Sequence, residues 1–349
     1  MKKLGFGLMR LPLTNANDPG SINHELTAKM ADRFLEQGFT YFDTAYPYHS
    51  GQSEEAFKKL VVQRYPRETF TIADKMPLWF VKEAADYQRI FDEQLKRCGV
   101  EYFDYYMLHG MDADRYVNTQ SLGGFDFLKK LKAEGKARQT GFSFHDKADV
   151  LDKILGEHPE VDFVQLQINY IDWDNPAIQS GECYQTAVKH GKTVIVMEPV
   201  KGGCLASLPD EADKLLKAYN PAASAASWAL RFAASLENVM VILSGMSTPE
   251  QMNDNIACMR EIIPLNKEEE AIIKKATGII DDNIAIPCTG CAYCIEGCPQ
   301  KIPIPRYFTL YNNQNRYGLL PTLLISYMFA SNGVGKASAC IACKKCEEH

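Results

Sequence analysis

The chain has 349 residues, 46% of them hydrophobic and 23% charged, with a formal net charge of −6, which is the make-up of a globular protein able to hold one large core and a smaller appendage. An excess of acids gives no footing for nucleic acid as a partner, while a small anionic substrate held by local charges stays open. The start carries Lys2 and Lys3 but its apolar run is interrupted by Arg10 and Pro12, a poor secretory signal, and the late apolar stretch 319–330 contains Pro321 and is too short to span a bilayer, so a cytoplasmic protein with no membrane partner is expected.

From residue 3 to about 277, short β-rich runs alternate with helical segments. A strand end at 5–8 precedes a helix over 23–37 stopped by Gly38. A second strand, 39–43, leads through Tyr48, His49 and the turn pair Ser50-Gly51 to Ser53, the expected cap of a helix over 52–64. A third strand, 70–75, is followed by a helix over 81–98 ended by Gly99, and a fourth, 102–109, by a helix over 124–133 that stops at Gly135. The fifth strand, 137–142, leads to a helix over 147–155, and the sixth, 161–166, to one over 182–190 stopped by Gly191. Strands at 193–197 and 239–243 and helices at 249–259 and 267–276 complete the repeat. The glycine stops are C-cap chemistry, and the nearly continuous apolar strands are those of a parallel sheet covered on both faces. Eight β/α repeats predict a closed (β/α)₈ TIM barrel. An open doubly wound sheet would call for a G-x-G-x-x-G turn after the first strand, and the sequence has none there.

In such a barrel, strand ends and the loops after them share one mouth. Asp43 ends the second strand with Tyr48 just beyond it, Lys75 ends the third and His109 the fourth. Each alone is a common structural group; four on three successive strands form a constellation. A phenol titrates near pKa ~10, a buried ammonium beside it lowers that value, and a carboxylate keeps the ammonium charged. Tyr48, Lys75 and Asp43 supply those parts, and His109 can orient a carbonyl oxygen beside the phenol. The set suits protonation of an oxyanion as hydride reaches carbon.

With Gly5-Phe6-Gly7, Asp43-Thr44-Ala45, Tyr48, Gly51, Ser53-Glu54, Lys75 and His109 in this order and spacing, residues 3–277 resemble the aldo-keto reductase family. The resemblance implies a (β/α)₈ barrel that exchanges hydride between NADP or NAD and a carbonyl or alcohol substrate. It makes Tyr48 the proton donor, Asp43 and Lys75 its tuning pair and His109 the carbonyl orienter. It also implies a cofactor site in which Ser143 and Gln165 hold the nicotinamide carboxamide and Asp254 and Asn255 meet the adenine. Three positions depart from the family pattern: Phe144 replaces an Asn, Met197 replaces a stacking aromatic ring, and Gln251 replaces the Arg that grips a 2′-phosphate. A neutral amide lacks the charge-assisted fork that separates NADP from NAD.

Beyond Gly278 the repeat ends. Cys288, Cys291, Cys294 and Cys298-Pro299 make the C-x₂-C-x₂-C-x₃-C-P run of bacterial-type ferredoxins. A zinc site has no use for that three-then-one pattern. A second triplet, Cys340, Cys343 and Cys346, follows about forty residues later. In two-cluster ferredoxins the fourth cysteine of each run serves the other cluster, so Cys298 joins the second triplet. The first triplet then lacks a fourth ligand within this sequence, and the protein is expected to continue past His349. Helical patterning at 305–314 and 321–329 predicts a small α-helical ferredoxin-like domain over 280–349, beside a barrel over 1–279, with two [4Fe–4S] clusters in the full-length protein. The predicted activity is that of an oxidoreductase. Clusters move single electrons and nicotinamide moves hydride, so a second reading stands: an electron-transfer or partner-binding protein whose clusters serve a separate redox protein.

Overall fold

The computed structural model describes residues 2–176, 178–282, 285–286, 288, 293–317, 321–331 and 333–347. Their strands are β1 (Leu4–Gly7), β2 (Tyr41–Asp43), β3 (Thr71–Pro77), β4 (Phe103–Met111), β5 (Ala137–Phe144), β6 (Phe163–Gln167), β7 (Thr193–Met197) and β8 (Val239–Ser244). Each pairs in parallel with the next, and β8 returns onto β1 to close the barrel. The helices, in order, are α1 (His24–Glu36), α2 (Ser53–Phe57), α3 (Ala84–Cys98), α4 (Ala113–Ser121), α5 (Gly124–Ala133), α6 (Ala148–Glu157), α7 (Ser180–Lys189), α8 (Asp210–Tyr219), α9 (Ala225–Ala234), α10 (Pro249–Arg260) and α11 (Lys267–Asp282). Three more follow: α12 (Tyr293–Glu296), α13 (Ile304–Tyr317) and α14 (Pro321–Ala330). Among the described residues no helix is long and apolar enough to cross a membrane.

The closed barrel and the tail helices agree with the sequence reading, and several elements correct it. Strands β3 and β4 run two residues beyond Lys75 and His109, so both side chains stand inside the strand ends instead of terminating them. The helix after β2 is short and passes into a π-turn over Lys58–Val62. Ser53 is not its cap: the cap position is Gln52, with no side-chain bond, and the Ser53 hydroxyl lies 2.9 Å from that of Thr44. Helices α4, α8 and α9 were not anticipated.

Burial explains the closure. One cluster joins Tyr41, Ala73, Met107, Phe163, Ile195, Val241 and Leu243 from six of the eight strands, and it forms one of the packed side-chain layers that make such a barrel solid. On the outer face Phe34, Phe39, Phe42 and Phe57 pack in a chain with centroids 5.4–5.5 Å apart, tying α1 and α2 to β2. Removing one such ring costs about 3–5 kcal/mol. At Gly141 a Cβ would lie 2.2 Å from the Phe163 carbonyl oxygen, so the β5–β6 approach requires glycine.

The chain divides into two compact units, Met1–Pro199 with Ala229–Leu265, and Val200–Trp228 with Asn266–His349. All eight strands belong to the first. Within the second, α11 packs on α8 and α13 on α14. Helix α13 organises the chain around the cysteine runs. Its Asn312 exchanges two hydrogen bonds with the Ile286 peptide, at 2.8 and 2.9 Å. Its Tyr307 hydroxyl donates to the Gly335 carbonyl at 2.8 Å, and the Gly335 N–H reaches Lys301 O at 3.1 Å.

Candidate active site and cysteine cluster loops

The strands bring the four mouth residues together. Lys75 is 1% exposed, and its Nζ donates to Asp43 Oδ1 at 2.5 Å and to the Thr44 carbonyl at 2.7 Å. The same Nζ lies 4.9 Å from the centre of the Tyr48 ring. Tyr48 and His109 meet edge to face, centroids 6.1 Å apart, both half-buried. Register places His109 opposite Pro77 and Lys75 opposite Met107, so a two-residue spacing on the shared ladder turns both side chains to the barrel interior.

Electrostatics sort the roles. Burial works against the Lys75 ammonium, but Asp43 and Tyr48 outweigh it and hold the amine above its ordinary range, so it stays charged. Burial likewise raises the Asp43 carboxyl, with Lys75 pulling it back. The phenol corrects the expectation from sequence. Burial raises Tyr48 above its ordinary value, Lys75 lowers it only in part, and Asp43 adds to the rise. Tyr48 is therefore a neutral phenol at neutral pH, with Lys75 lowering its pKa only in part. Burial, with Lys75 nearby, pushes His109 well below its ordinary value and keeps it neutral. Its Nδ1 is buried without a hydrogen-bond partner, as are Asp43 Oδ2 and Gln165 Oε1. Buried polar atoms are rarely left so, and an orphaned imidazole nitrogen and amide oxygen at one mouth suit a carbonyl and a carboxamide.

Of the other predicted residues, Ser143, Gln165 and Met197 lie near the ends of β5, β6 and β7, and Gln251, Asp254 and Asn255 lie on α10. Ser143 Oγ accepts the Gly110 N–H at 2.8 Å, next to His109, and Ser143 pairs in register with Gln165. Met197 ends β7, half-buried, and pairs with Gln167. Beyond β8, the buried Asn255 donates to Ser244 Oγ at 2.7 Å, and Asp254 beside it is half-buried. Gln251 is exposed and its Oε1 accepts the Ser247 N–H at 2.8 Å, so its amide closes the loop locally.

Two features of the mouth went unread in the sequence. Trp79, two residues past β3, packs on His109 with centroids 4.9 Å apart and walls the mouth; a tryptophan just beyond a strand's C-terminal end was the available signal. His49, adjacent to Tyr48, is buried with φ 53°. Its Nε2 accepts the Leu11 N–H at 3.1 Å, and its Nδ1–H donates to Pro19 O at 2.8 Å. That clasp ties the Tyr48 turn to the loop after β1 and fits the neutral imidazole, which burial favours.

Among the described cysteines none is in a disulfide, and Cys291 lies outside the described residues. Cys288, Cys340 and Cys343 are exposed; Cys294, Cys298 and Cys346 are half-buried. The two runs are neighbours, because α12, which carries Cys294, packs on the turn Lys345–Glu347, which carries Cys346. Ala342 and Lys344 have φ of 53° and 63°, and the Ala342 N–H donates to Cys340 Sγ at 3.4 Å. A backbone N–H turned onto a cysteine sulfur suits an iron–sulfur cluster, whose potential depends on such bonds.

The sequence profile of the aldo/keto reductase family matches residues 3–277, and that of the 4Fe-4S dicluster domain matches 287–349. A probable aldo-keto reductase of Glycine max is 32% identical over 182 residues, 50% of this chain and 49% of that protein, so the chain spans about half of that relative's length. The L-galactose dehydrogenase of Arabidopsis thaliana is 26% identical over 260 residues, 67% of this chain and 78% of that one. Among solved structures, the holo form of a Bacillus halodurans aldo-keto reductase superposes with TM-score 0.62 at 24% identity, covering 78% of this chain and 91% of that one. An aldo-keto reductase from Klebsiella pneumoniae in complex with NADPH gives 0.61 at 20% identity, covering 78% and 90%.

Proposed function

The chain belongs to the aldo/keto reductase family and carries a 4Fe-4S dicluster domain, and from that premise we propose an oxidoreductase that reduces a small carbonyl compound, or oxidises the matching alcohol, with Tyr48 as proton donor. The observation that carries this reading is the Lys75 ammonium, bracketed by Asp43 and Thr44 and 4.9 Å from the Tyr48 ring, facing a His109 whose Nδ1 has no partner. His109 holds the substrate oxygen beside the phenol, Tyr48 gives that oxygen its proton, and Lys75 stabilises the phenolate left behind. A nicotinamide dinucleotide, when bound, supplies the hydride to carbon, so that proton and hydride together complete the alcohol. Ser143 and Gln165 would hold its carboxamide, Met197 its ring, and Gln251, Asp254 and Asn255 its adenosine end. The neutral Gln251 leaves the choice between NAD and NADP to the other groups of that loop.

In the same proposal the chain is organised as a barrel over 1–279 and a cluster domain over 280–349. Cys298, Cys340, Cys343 and Cys346 would hold one [4Fe–4S] cluster, and Cys288, Cys291 and Cys294 three corners of another. Such clusters, when bound, supply one-electron transfer and so open a route to a separate redox protein. Phe144, only 3% exposed where the family has an amide, and Met197 favour the second reading, in which the barrel no longer uses nicotinamide. Anaerobic titration of the cluster-loaded protein with NADH and NADPH decides between them. Binding of either one, with reduction of an aldehyde panel, is expected; binding of neither would leave the electron-transfer reading.

A further inference from the structure

Strand β3 has two faces, and the one turned away from the mouth carries a second polar network. Asp74 and Glu54 are both fully buried, and their carboxyl oxygens lie with Cys98 Sγ inside a group 4.8 Å across. Asp74 Oδ1 accepts the Lys75 N–H at 2.8 Å, and Asp74 Oδ2 meets the Cys98 thiol at 3.5 Å. Gln94 Nε2 donates to the Lys75 carbonyl and to Glu54 Oε1, each at 3.0 Å, while its Oε1 accepts from the Tyr106 hydroxyl at 2.6 Å. Both peptide groups of Lys75 are thus held from behind, by Asp74 and by Gln94.

The charges in this region close only if one carboxyl is neutral. Lys75 is spent on Asp43, at 2.5 Å. Arg97 is spent on Glu54, at 2.8 Å, with Glu93 farther off at 3.7 Å. Among the described residues no cation forms an ion pair with Asp74 as Lys75 does with Asp43 and Arg97 with Glu54, and two buried carboxylates this close do not both ionise. We propose that Asp74 is a positioning residue for Lys75, acting as the neutral, proton-donating member of a hydrogen-bonded carboxyl pair with Glu54. The pair does not suit a metal ion, because Arg97 and Gln94 already occupy the Glu54 oxygens. Burial and the neighbouring Glu54 push the Asp74 carboxyl well above its ordinary range, in line with this geometry. The bond from Asp74 to the Lys75 peptide fixes where the strand places the ammonium, and Gln94 joins that bond to the Glu54–Arg97 pair. The link to catalysis rests on the role given above to Lys75 and Tyr48.

The test has two readouts, neither of which needs turnover. The first is the infrared carbonyl stretch of a protonated carboxyl at neutral pH in the intact chain. A band that shifts on ¹³C labelling of aspartate and is lost in Asp74→Asn is expected. No band, or one that moves only with labelled glutamate, overturns the proposal. The second is the titration of Tyr48, taken as the ultraviolet difference between each protein and its counterpart carrying Tyr48→Phe. Asp74→Leu, or the smaller Asp74→Ser should the first not fold, leaves the Lys75 amide unheld and is expected to move that titration up by about one pH unit. Asp74→Asn keeps the acceptor and the donor and is expected to restore it. An unmoved Tyr48 titration in Leu and Ser variants alike would overturn the positioning role. Carbonyl reduction that survives Tyr48→Phe would instead sink the proposed function and leave both readouts standing.

Discussion

The barrel mouth and the cysteine loops are both rich in ionisable groups, and they are built in opposite ways. At the mouth, Lys75 and Asp43 are 1% and 3% exposed; register sets Asp43 opposite Ala73, so Lys75, two residues on, shares its face and reaches it at 2.5 Å. In the cysteine segment, nearly every described residue from Lys336 to Glu347 is exposed, and the turns hold non-glycine residues at positive φ. A site made from strand ends is organised by the core before any ligand arrives. A loop of thiolates without a core of its own draws its folding energy from the metal it holds. The contrast teaches where each function is vulnerable: the mouth to single substitutions in a packed network, the cysteine loops to loss of the cluster.

Four experiments test that contrast. Tyr48→Phe removes one oxygen and leaves the packing, so kcat for carbonyl reduction should fall roughly 10²–10⁴-fold while nucleotide affinity is kept; steady-state kinetics beside equilibrium binding reads both. Lys75→Met leaves Asp43 as a buried charge without its partner and should cost about 3–5 kcal/mol of stability in urea unfolding. A loss under 1 kcal/mol would mean that water reaches the pair. Anaerobic chelation of iron should abolish cluster absorbance and the ordered hydrogen exchange of residues 336–347, with the main thermal transition of the barrel retained. Loss of both together would show that the cysteine segment is an integral part of the core.

The smallest effect expected is on acid stability. Burial lowers the folded pKa of His49 below its ordinary 6.5. Its contribution is therefore fully present above pH 6.5 and is lost as pH falls toward the folded value, because the unfolded chain takes the proton first. His49→Asn keeps a residue that tolerates positive φ and removes the titration. Its stability should decline less steeply than that of the parent between pH 6.5 and 5, and parallel acid limbs would rule out a neutral-imidazole clasp.

Much of the barrel was legible because its information is local. Eight apolar runs separated by helices, four of them stopped by glycine, carry the strand count and the parallel topology, and the order Asp43, Tyr48, Lys75, His109 follows from strand ends facing one mouth. Helices α8 and α9 were missed in the long interval before β8. A serine before a helical pattern is usually a cap, which is why the sequence predicts one at Ser53; the short gap from β2 pairs its hydroxyl with that of Thr44 instead. No local signal marks His49, which acts through contacts with Leu11 and Pro19, and the one for Trp79 is only its place just past the end of β3.

By itself the sequence determined the closed barrel, the four mouth residues and the ferredoxin-type cysteine spacing, since periodicity and ligand spacing are properties of the chain alone. Only the tertiary structure decided the balance of charge at the mouth and on the strand face behind it. Whether Tyr48 is ionised depends on burial against the pull of Lys75, and whether Asp74 is neutral depends on Arg97 being taken by Glu54. Those outcomes are set by distances between residues from different strands and helices and by the exclusion of water around them, and neither quantity exists until the barrel has closed.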